Sequence, residues 1–340
     1  MAGHEIVVIG ASAGGVGAVR SLLHELPKDF PAAVFVVIHI SPHGRSALPS
    51  IFGRAGALPA RHPVDGEPIR PACVYVAPPD QHILIRPGHV RLSHGPKENH
   101  TRPAIDPLFR SAALAYGPRV IGVVLTGYLD DGTAGLVAVK ARGGISVVQD
   151  PDDARYAAMP LNALRGDSPD HCVPLADLPE LLKRLVAEPA PPDELFPVPD
   201  WLPIEVRISE GEGGLVDHPN TTDIGQPAPF VCPECSGTLF EVEDGKTLRF
   251  RCRVGHAYSH ESLAAFQVEG LDAALWTALR ALKESAALSR RLAERTLAEG
   301  HVRAAKAHAA EAEIRERQAQ QVQAALVKGA ARAAPDEAAG

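Results

Sequence analysis

The feature that most restricts this chain is a glycine-rich bend set between an apolar run and an amphipathic one. Ile6-Val7-Val8-Ile9 is a short β-branched run of the kind that forms a buried strand. Val16 to Leu26 carries apolar residues at Val16, Val19, Leu22, Leu23 and Leu26, which is helical spacing. Between them lies Gly10-Ala11-Ser12-Ala13-Gly14-Gly15. Small residues let the backbone turn sharply, the serine stands clear of the sheet, and the helix N-terminus offers free N–H groups to a developing oxyanion. This is the arrangement of a nucleophile elbow, and acyl transfer is the first expectation. The competing reading is a loop that cradles phosphate or a dinucleotide. The G-x-G-x-x-G spacing fails because Ser12 stands where the second glycine belongs. The next strand, Val34 to Ile38, ends in His39 and not in a ribose-holding acid, and there is no Walker A lysine.

From Glu5 to about Val186 short β-rich runs alternate with amphipathic stretches. The strand-like runs are Ile6–Ile9, Val34–Ile38, Val74–Ala77, His82–Ile85, Val120–Leu125 and Ile145–Val148. The helix-like stretches are Val16–Leu26, Ala47–Arg54, Pro107–Ala115, Gly132–Arg142 and Leu178–Val186. Such alternation predicts an α/β fold with a doubly wound, mostly parallel sheet. Val74–Ala77 and His82–Ile85, separated by Pro78-Pro79-Asp80-Gln81, read with Val90–Leu92 as a local antiparallel excursion.

After Glu188 the composition changes. Residues 189–229 are rich in proline and then in glycine and polar residues, which predicts a mobile linker. A compact cysteine-bearing unit is expected at 230–260, a helical hairpin at 261–328 and a disordered tail at 329–340. The first arm of the hairpin shows Leu271, Leu275, Leu279, Leu282 and Ala286 on one face, with a break near Glu299-Gly300-His301. A formal charge of −7 over 340 residues gives no basic footprint for nucleic acid. No stretch approaches the roughly 18 apolar residues needed to span a bilayer. The first residues, Met1-Ala2-Gly3-His4-Glu5, lack the basic segment of a secretory signal. Five cysteines, three of them clustered late, suit a reducing compartment, so a cytoplasmic protein is expected.

A serine hydroxyl needs a neighbouring base to take its proton. In a parallel sheet the C-terminal ends of strands share one edge, so Ser12 and His39 fall side by side there. A third group must fix the imidazole tautomer. Val123-Val124-Leu125 leads into Thr126-Gly127-Tyr128-Leu129-Asp130-Asp131-Gly132, a further strand-to-helix junction at that edge, and offers both Asp130 and Asp131. Spacing alone does not choose between them, and either could serve merely as a helix cap.

The segments Ile9 to Gly15, Ile38-His39, Tyr75-Val76-Ala77-Pro78, Pro103 to Ala113, and Leu125-Thr126-Gly127 followed by Asp130-Asp131-Gly132 occur in an order and at separations that resemble the catalytic domain of the chemotaxis protein-glutamate methylesterases, the CheB type. The resemblance covers residues 5 to about 185. It implies a triad of Ser12, His39 and Asp131, and no cofactor for catalysis. The implied reaction is hydrolysis of methyl esters on receptor glutamates, with deamidation of receptor glutamines in some members. The implied substrate is a methylated chemoreceptor or receptor-like protein. Backbone N–H groups at Ala13 and Tyr128 are the expected oxyanion donors. The chain departs from the family pattern at Ala13, where threonine is frequent, and at Tyr128, where methionine is frequent. With the first catalytic strand at residue 6, control by an N-terminal receiver domain in cis is not expected. A non-catalytic scaffolding protein on the same fold is the alternative, against which the intact Ser12, His39 and Asp131 set speaks.

Cys232-Pro233-Glu234-Cys235 is a C-x2-C knuckle, and seventeen positions after Cys235 comes Cys252-Arg253-Val254-Gly255-His256. Two ligand pairs separated by a glycine-containing hairpin (Thr238–Val242, Gly245, Leu248–Arg251) predict a zinc-ribbon-like unit holding structural zinc on Cys232, Cys235, Cys252 and His256. Four protein ligands leave no open position for catalysis. The unit and the hairpin are expected to serve docking or regulation through a signalling partner, the alternative being a passive hairpin that only packs on the zinc unit.

Overall fold

The structure is a computed structural model describing residues 3–212, 225–243 and 247–333. In chain order the first elements are β1 (Ile6–Ala11), α1 (Gly15–His24), β2 (Ala33–Ile38), α2 (Leu48–Gly53), β3 (Ala60–Arg61), β4 (Val74–Val76), β5 (His82–Arg86) and β6 (His89–Ser93). They are followed by α3 (Ile105–Tyr116), β7 (Val120–Val124), α4 (Thr133–Ala141), β8 (Ile145–Gln149), α5 (Ala158–Asp167), β9 (His171–Val173), α6 (Leu178–Ala187) and α7 (Trp201–Ser209). Then come β10 (Pro227–Val231), β11 (Thr238–Glu243), β12 (Leu248–Cys252), β13 (Ala257–Ser259), α8 (His260–Ala298) and α9 (Val302–Ala333).

Seven strands form one parallel sheet in the order β3-β4-β2-β1-β7-β8-β9. β1, β2 and β7 are buried along their whole length, which is why they read as unbroken apolar runs. Alternate residues serve opposite faces. Val7 and Ile9 pack with Val19, Leu22 and Leu23 of α1 and Leu182 of α6. Ile6 and Val8 pack with Leu108 and Phe109 of α3, Leu136 of α4 and Met159 of α5. The sheet is thus doubly wound, as expected. β4 belongs to it in parallel, and the antiparallel excursion is confined to the β5–β6 hairpin, which packs on α3.

The stretch read as a linker contains α7, whose Leu202 and Val206 join the core on the α3 face. Its prolines hide it: Pro203 falls in the first helical turn, where no intrahelical N–H is required. Residues 213–224, residues 244–246 with Gly245 of the expected hairpin, and residues 334–340 of the expected tail lie outside the described residues, while α9 runs on to Ala333. Strands β10 to β13 form an antiparallel sheet in sequence order. Contacts group residues 1–263 into one compact unit and 264–340 into a second. In the second unit Leu279, Ala319 and Leu326 form the core with Leu275, Leu282 and Val322 against them, whereas Leu271, expected on that face, is exposed.

Candidate active site

The sheet order places β2 on one side of β1 and β7 on the other, so the winding reverses between β1 and β7. The crevice at the C-terminal ends of such strands is where open α/β sheets accept ligands. Ser12 follows β1 there. Its N–H donates to Thr126 O at 3.0 Å and Leu125 N–H donates to Gly10 O at 2.9 Å, so the elbow is stitched to the loop after β7. Gly14 takes φ +77°, a left-handed conformation that glycine adopts without steric cost, and α1 starts from it. A Cβ at Gly127 would lie 2.0 Å from Met159 Sδ and 2.8 Å from Ser12 Cβ. Only a bare backbone passes between the serine and α5.

His39, the residue after β2, reaches both neighbours. Its Nδ1 lies 3.2 Å from Ser12 Oγ and its Nε2 lies 2.7 Å from Asp131 Oδ2. A carboxylate only accepts, so the imidazole proton sits on Nε2 and the Nδ1 lone pair faces the serine hydroxyl. Asp131 Oδ2 also accepts Ile105 N–H at 2.7 Å, and Oδ1 accepts Asp106 N–H and Asn99 Nδ2–H, each at 3.2 Å. Burial pushes the Asp131 carboxyl up, but the bond and charge of His39 and the two α3 N–H groups outweigh it and hold the acid below its ordinary range. Asp131 therefore stays ionised and can stabilise an imidazolium on His39.

Asp130 and Asp131 differ in what they touch. Asp130 Oδ1 accepts Ser259 Oγ–H at 2.6 Å and lies 3.2 Å from Ser262 Oγ, away from His39. The N–H groups of Ser12 and Gly127 are taken by Thr126 O and Tyr156 O. No acceptor among the described residues takes the N–H of Ala13 or Tyr128, the two expected oxyanion donors. Tyr128 is 58% exposed and its ring packs on Tyr156 with centroids 4.8 Å apart.

Three features were not visible in the sequence reading. Asp106 Oδ1 accepts Gly132 N–H at 3.0 Å and Gly135 N–H at 2.7 Å, tying the start of α4 to α3. Burial and the charge of Asp131 raise its carboxyl well above the ordinary range. An acid in the first turn of α3 was the available signal, though it serves a different helix. Asn99 sits in a loop without periodicity and gave no signal. The third is a buried ionic cluster: Glu98 and Glu205 face Arg110, Arg249 and Arg251, with Arg110 Nη2–Glu98 Oε1 at 2.6 Å and Arg251 Nη2–Glu205 Oε2 at 2.7 Å. It joins the loop before α3, α3 itself, α7 and β12 through three guanidiniums around two carboxylates, so the cysteine-bearing sheet is fixed to the catalytic unit.

Cys232, Cys235, Cys252 and His256 converge, with their ligand atoms all within 4.8 Å of one another. Cys235 Sγ–Cys252 Sγ is 3.7 Å, and His256 Nδ1 is 3.7 Å from Cys232 Sγ and 3.6 Å from Cys252 Sγ. Tetrahedral bonds of about 2.3 Å to sulfur and about 2.0 Å to nitrogen impose about 3.8 Å between sulfurs and about 3.5 Å between sulfur and nitrogen. The residues present fit such an ion.

Comparison with known proteins bears on the same region. The model of the CheB methylesterase family matches residues 7–182. The chain belongs to the CheB methylesterase family. A Leptospira interrogans member, described as a protein-glutamate methylesterase/protein-glutamine glutaminase, is 38% identical over 183 residues, 54% of this chain and 95% of that one. Protein-glutamate methylesterase/protein-glutamine glutaminase 2 of Anaeromyxobacter dehalogenans is 38% identical over 181 residues, 53% of each chain. The crystal structure of the Thermotoga maritima CheB methylesterase catalytic domain aligns with a TM-score of 0.52 and 35% identity, covering 55% of this chain and all of that one. These matches span the CheB-type sheet, about half of this chain. Among the described residues no helix is long and apolar enough to cross a membrane.

Proposed function

We propose that this chain hydrolyses the methyl esters of glutamate side chains in chemoreceptor-type proteins, with Ser12 as nucleophile, His39 as general base and Asp131 as the orienting carboxylate. The observation that carries the reading is the continuous series from Ser12 Oγ through His39 to the buried Asp131, at 3.2 Å and 2.7 Å, on the switch-point edge of the sheet. As Ser12 Oγ attacks the ester carbonyl carbon, its proton passes to His39 Nδ1, and the carbonyl oxygen becomes an oxyanion facing the Ala13 and Tyr128 N–H groups. Collapse of the tetrahedral species breaks the bond to the methoxy oxygen, which leaves as methanol with the proton from Nδ1. The glutamyl ester on Ser12 is then attacked by water whose proton goes to the same Nδ1. Breakdown returns the proton to Ser12 Oγ and frees the glutamate carboxylate. Attack on a glutamine side-chain amide follows the same course with ammonia as leaving group, the second activity in the relatives' names. Losing one oxyanion donor in such sites costs about 10²–10³ in turnover.

On the same reading Cys232, Cys235, Cys252 and His256 hold one structural zinc, whose role is to fix the β10–β13 sheet. Neither that ion nor any cofactor enters the reaction. All five cysteines are unpaired, which suits a cytoplasmic setting. The helical hairpin serves recognition of a signalling partner and takes no part in the chemistry. The test is methanol release from a chemoreceptor fragment methylated on glutamate. Wild-type chain should release methanol and Ser12→Ala should not; equal release from both, or none from the wild type, would refute the assignment.

A further inference from the structure

Among the described residues the proposed triad carboxylate has four hydrogen-bond partners. Three of them come from His39 and from the backbone of α3, elements of the CheB-type sheet. The fourth, Asn99, is held from elsewhere. Its side chain is an amide whose two ends are fixed by chemistry: Nδ2 donates to Asp131 Oδ1 at 3.2 Å, and Oδ1 accepts Ser259 N–H at 3.0 Å. A carboxylate cannot donate and a backbone N–H cannot accept, so only one orientation of the amide satisfies both. The Asn99 backbone N–H donates to Ala257 O at 2.8 Å, and Ala257 N–H returns to Lys97 O at 3.2 Å. Residues 97–99 thus run beside β13 as an added edge of the cysteine-bearing sheet.

The loop needs that hold. Asn99 and His100 take φ +49° and +66° in succession, a conformation asparagine tolerates better than most residues but does not favour. Glu98 is anchored to Arg110 at 2.6 Å and to Arg251 at 3.1 Å, so the residue before Asn99 is fixed to both α3 and β12. β13 begins at the residue after His256 and pairs with β12, which ends in Cys252. Two of the four converging ligand residues therefore bracket the turn that leads into the strand to which Asn99 is bonded. Asp130 adds a second tie, through Ser259 Oγ and Ser262 Oγ.

Resting on the triad reading above, we infer that Asn99 is a positioning residue for Asp131, held in place by strand β13, so that the cysteine-bearing sheet supports the catalytic carboxylate. By donating to Oδ1, Asn99 fixes the rotation of the carboxylate and leaves Oδ2 aimed at His39. The CheB-type sheet supplies the triad, and the extension supplies part of its rigidity.

Two substitutions in the full chain separate positioning from simple structure. Asn99→Asp keeps an acceptor for Ser259 N–H, keeps the backbone N–H to Ala257 and keeps a residue type that tolerates positive φ. It sets a second carboxylate against Asp131 where a neutral donor stood, so the two oxygens meet only by repelling or by sharing a proton. Asn99→Gly removes the amide at a backbone conformation glycine adopts freely. The readout is the rate constant for labelling of Ser12 by a fluorophosphonate, well below the melting temperature. Asn99→Gly should slow labelling about tenfold, the scale of one hydrogen bond to a charged group, and Asn99→Asp should be slower still at a pH where both carboxylates are ionised. In an Asp131→Ala background the same changes should have no further effect, because a residue that acts through Asp131 has nothing left to act on. Wild-type labelling in Asn99→Gly, or an equal loss in both backgrounds, would overturn the inference. Failure of the triad reading looks different: Ser12→Ala would still be labelled, or Asp131→Ala would react as fast as wild type.

Discussion

Replacing Asp131 by its amide changes one oxygen into an NH₂ and tests how the triad is oriented. Both carboxylate oxygens are acceptors for two donors each: His39 Nε2–H and Ile105 N–H on Oδ2, Asn99 Nδ2–H and Asp106 N–H on Oδ1. Wherever the NH₂ points, it meets donors. Turned toward Oδ1's place, it conflicts with Asp106 N–H and with Asn99, and turning the Asn99 amide to compensate would set its NH₂ against Ser259 N–H. Turned toward His39, it conflicts only with Ile105 N–H, because the imidazole can move its own proton. That second arrangement leaves one donor unsatisfied instead of two, a difference of about 1–3 kcal/mol. It also drives the proton to Nδ1 and removes the lone pair that faces Ser12. Asp131→Asn should therefore lower the rate of Ser12 acylation by about 10⁴-fold, the scale of a triad whose histidine is locked in the wrong tautomer. The folded state should lose about 1–3 kcal/mol from the stranded Ile105 N–H. Stopped-flow acylation with an activated ester, beside a thermal melt of the same preparation, reads both numbers. A rate within about tenfold of wild type would show that Asp131 does not set the His39 tautomer.

Glu98 supplies a pH test of the buried cluster. Burial pushes its carboxyl up, but Arg110, Arg251 and Arg249 outweigh that and hold it down at about 2, against an ordinary 4.5. Its contribution to stability is then complete above 4.5 and is lost as pH falls toward about 2. Glu98→Gln should cost about 3–5 kcal/mol near neutrality, with the deficit shrinking through that acid interval; a deficit constant with pH would contradict the assignment. Metal analysis of freshly purified chain should find one zinc, and its removal by a chelator should lower the melting temperature of the unit that contains β10–β13. Chain that carries no metal, or that melts unchanged without it, would contradict the structural zinc.

The parts of the fold legible in the sequence are those whose periodicity is unmixed. β1, β2 and β7 are buried on both faces and read as plain apolar runs, and the bend at Ser12 marks where the first of them turns into a helix. β3 is two residues long and β9 three, too short for any pattern to form. α7 was hidden by prolines that suit a first helical turn as well as a linker. In the candidate site, Ser12 and His39 could be proposed because strand ends share an edge in a parallel sheet. Asp131 and Asp130 are adjacent in sequence, and what separates them is a contact to His39 for one and to Ser259 for the other. Asn99 and Glu98 act across 160 and 153 positions of sequence, to Ser259 and Arg251. No local pattern encodes partners so distant, so a segment that looked separable proved to be part of the catalytic unit's support.

The central claim is that Ser12 is the nucleophile, activated by His39. Its most direct measurement is mass spectrometry of the peptide carrying Gly10 to Gly15 after brief exposure of the full chain to a fluorophosphonate. The phosphonyl group should appear on Ser12 in the wild type, much more slowly in His39→Ala, and not at all on that peptide in Ser12→Ala. Labelling of a different residue, or labelling of Ser12 at the same rate without His39, would contradict the account.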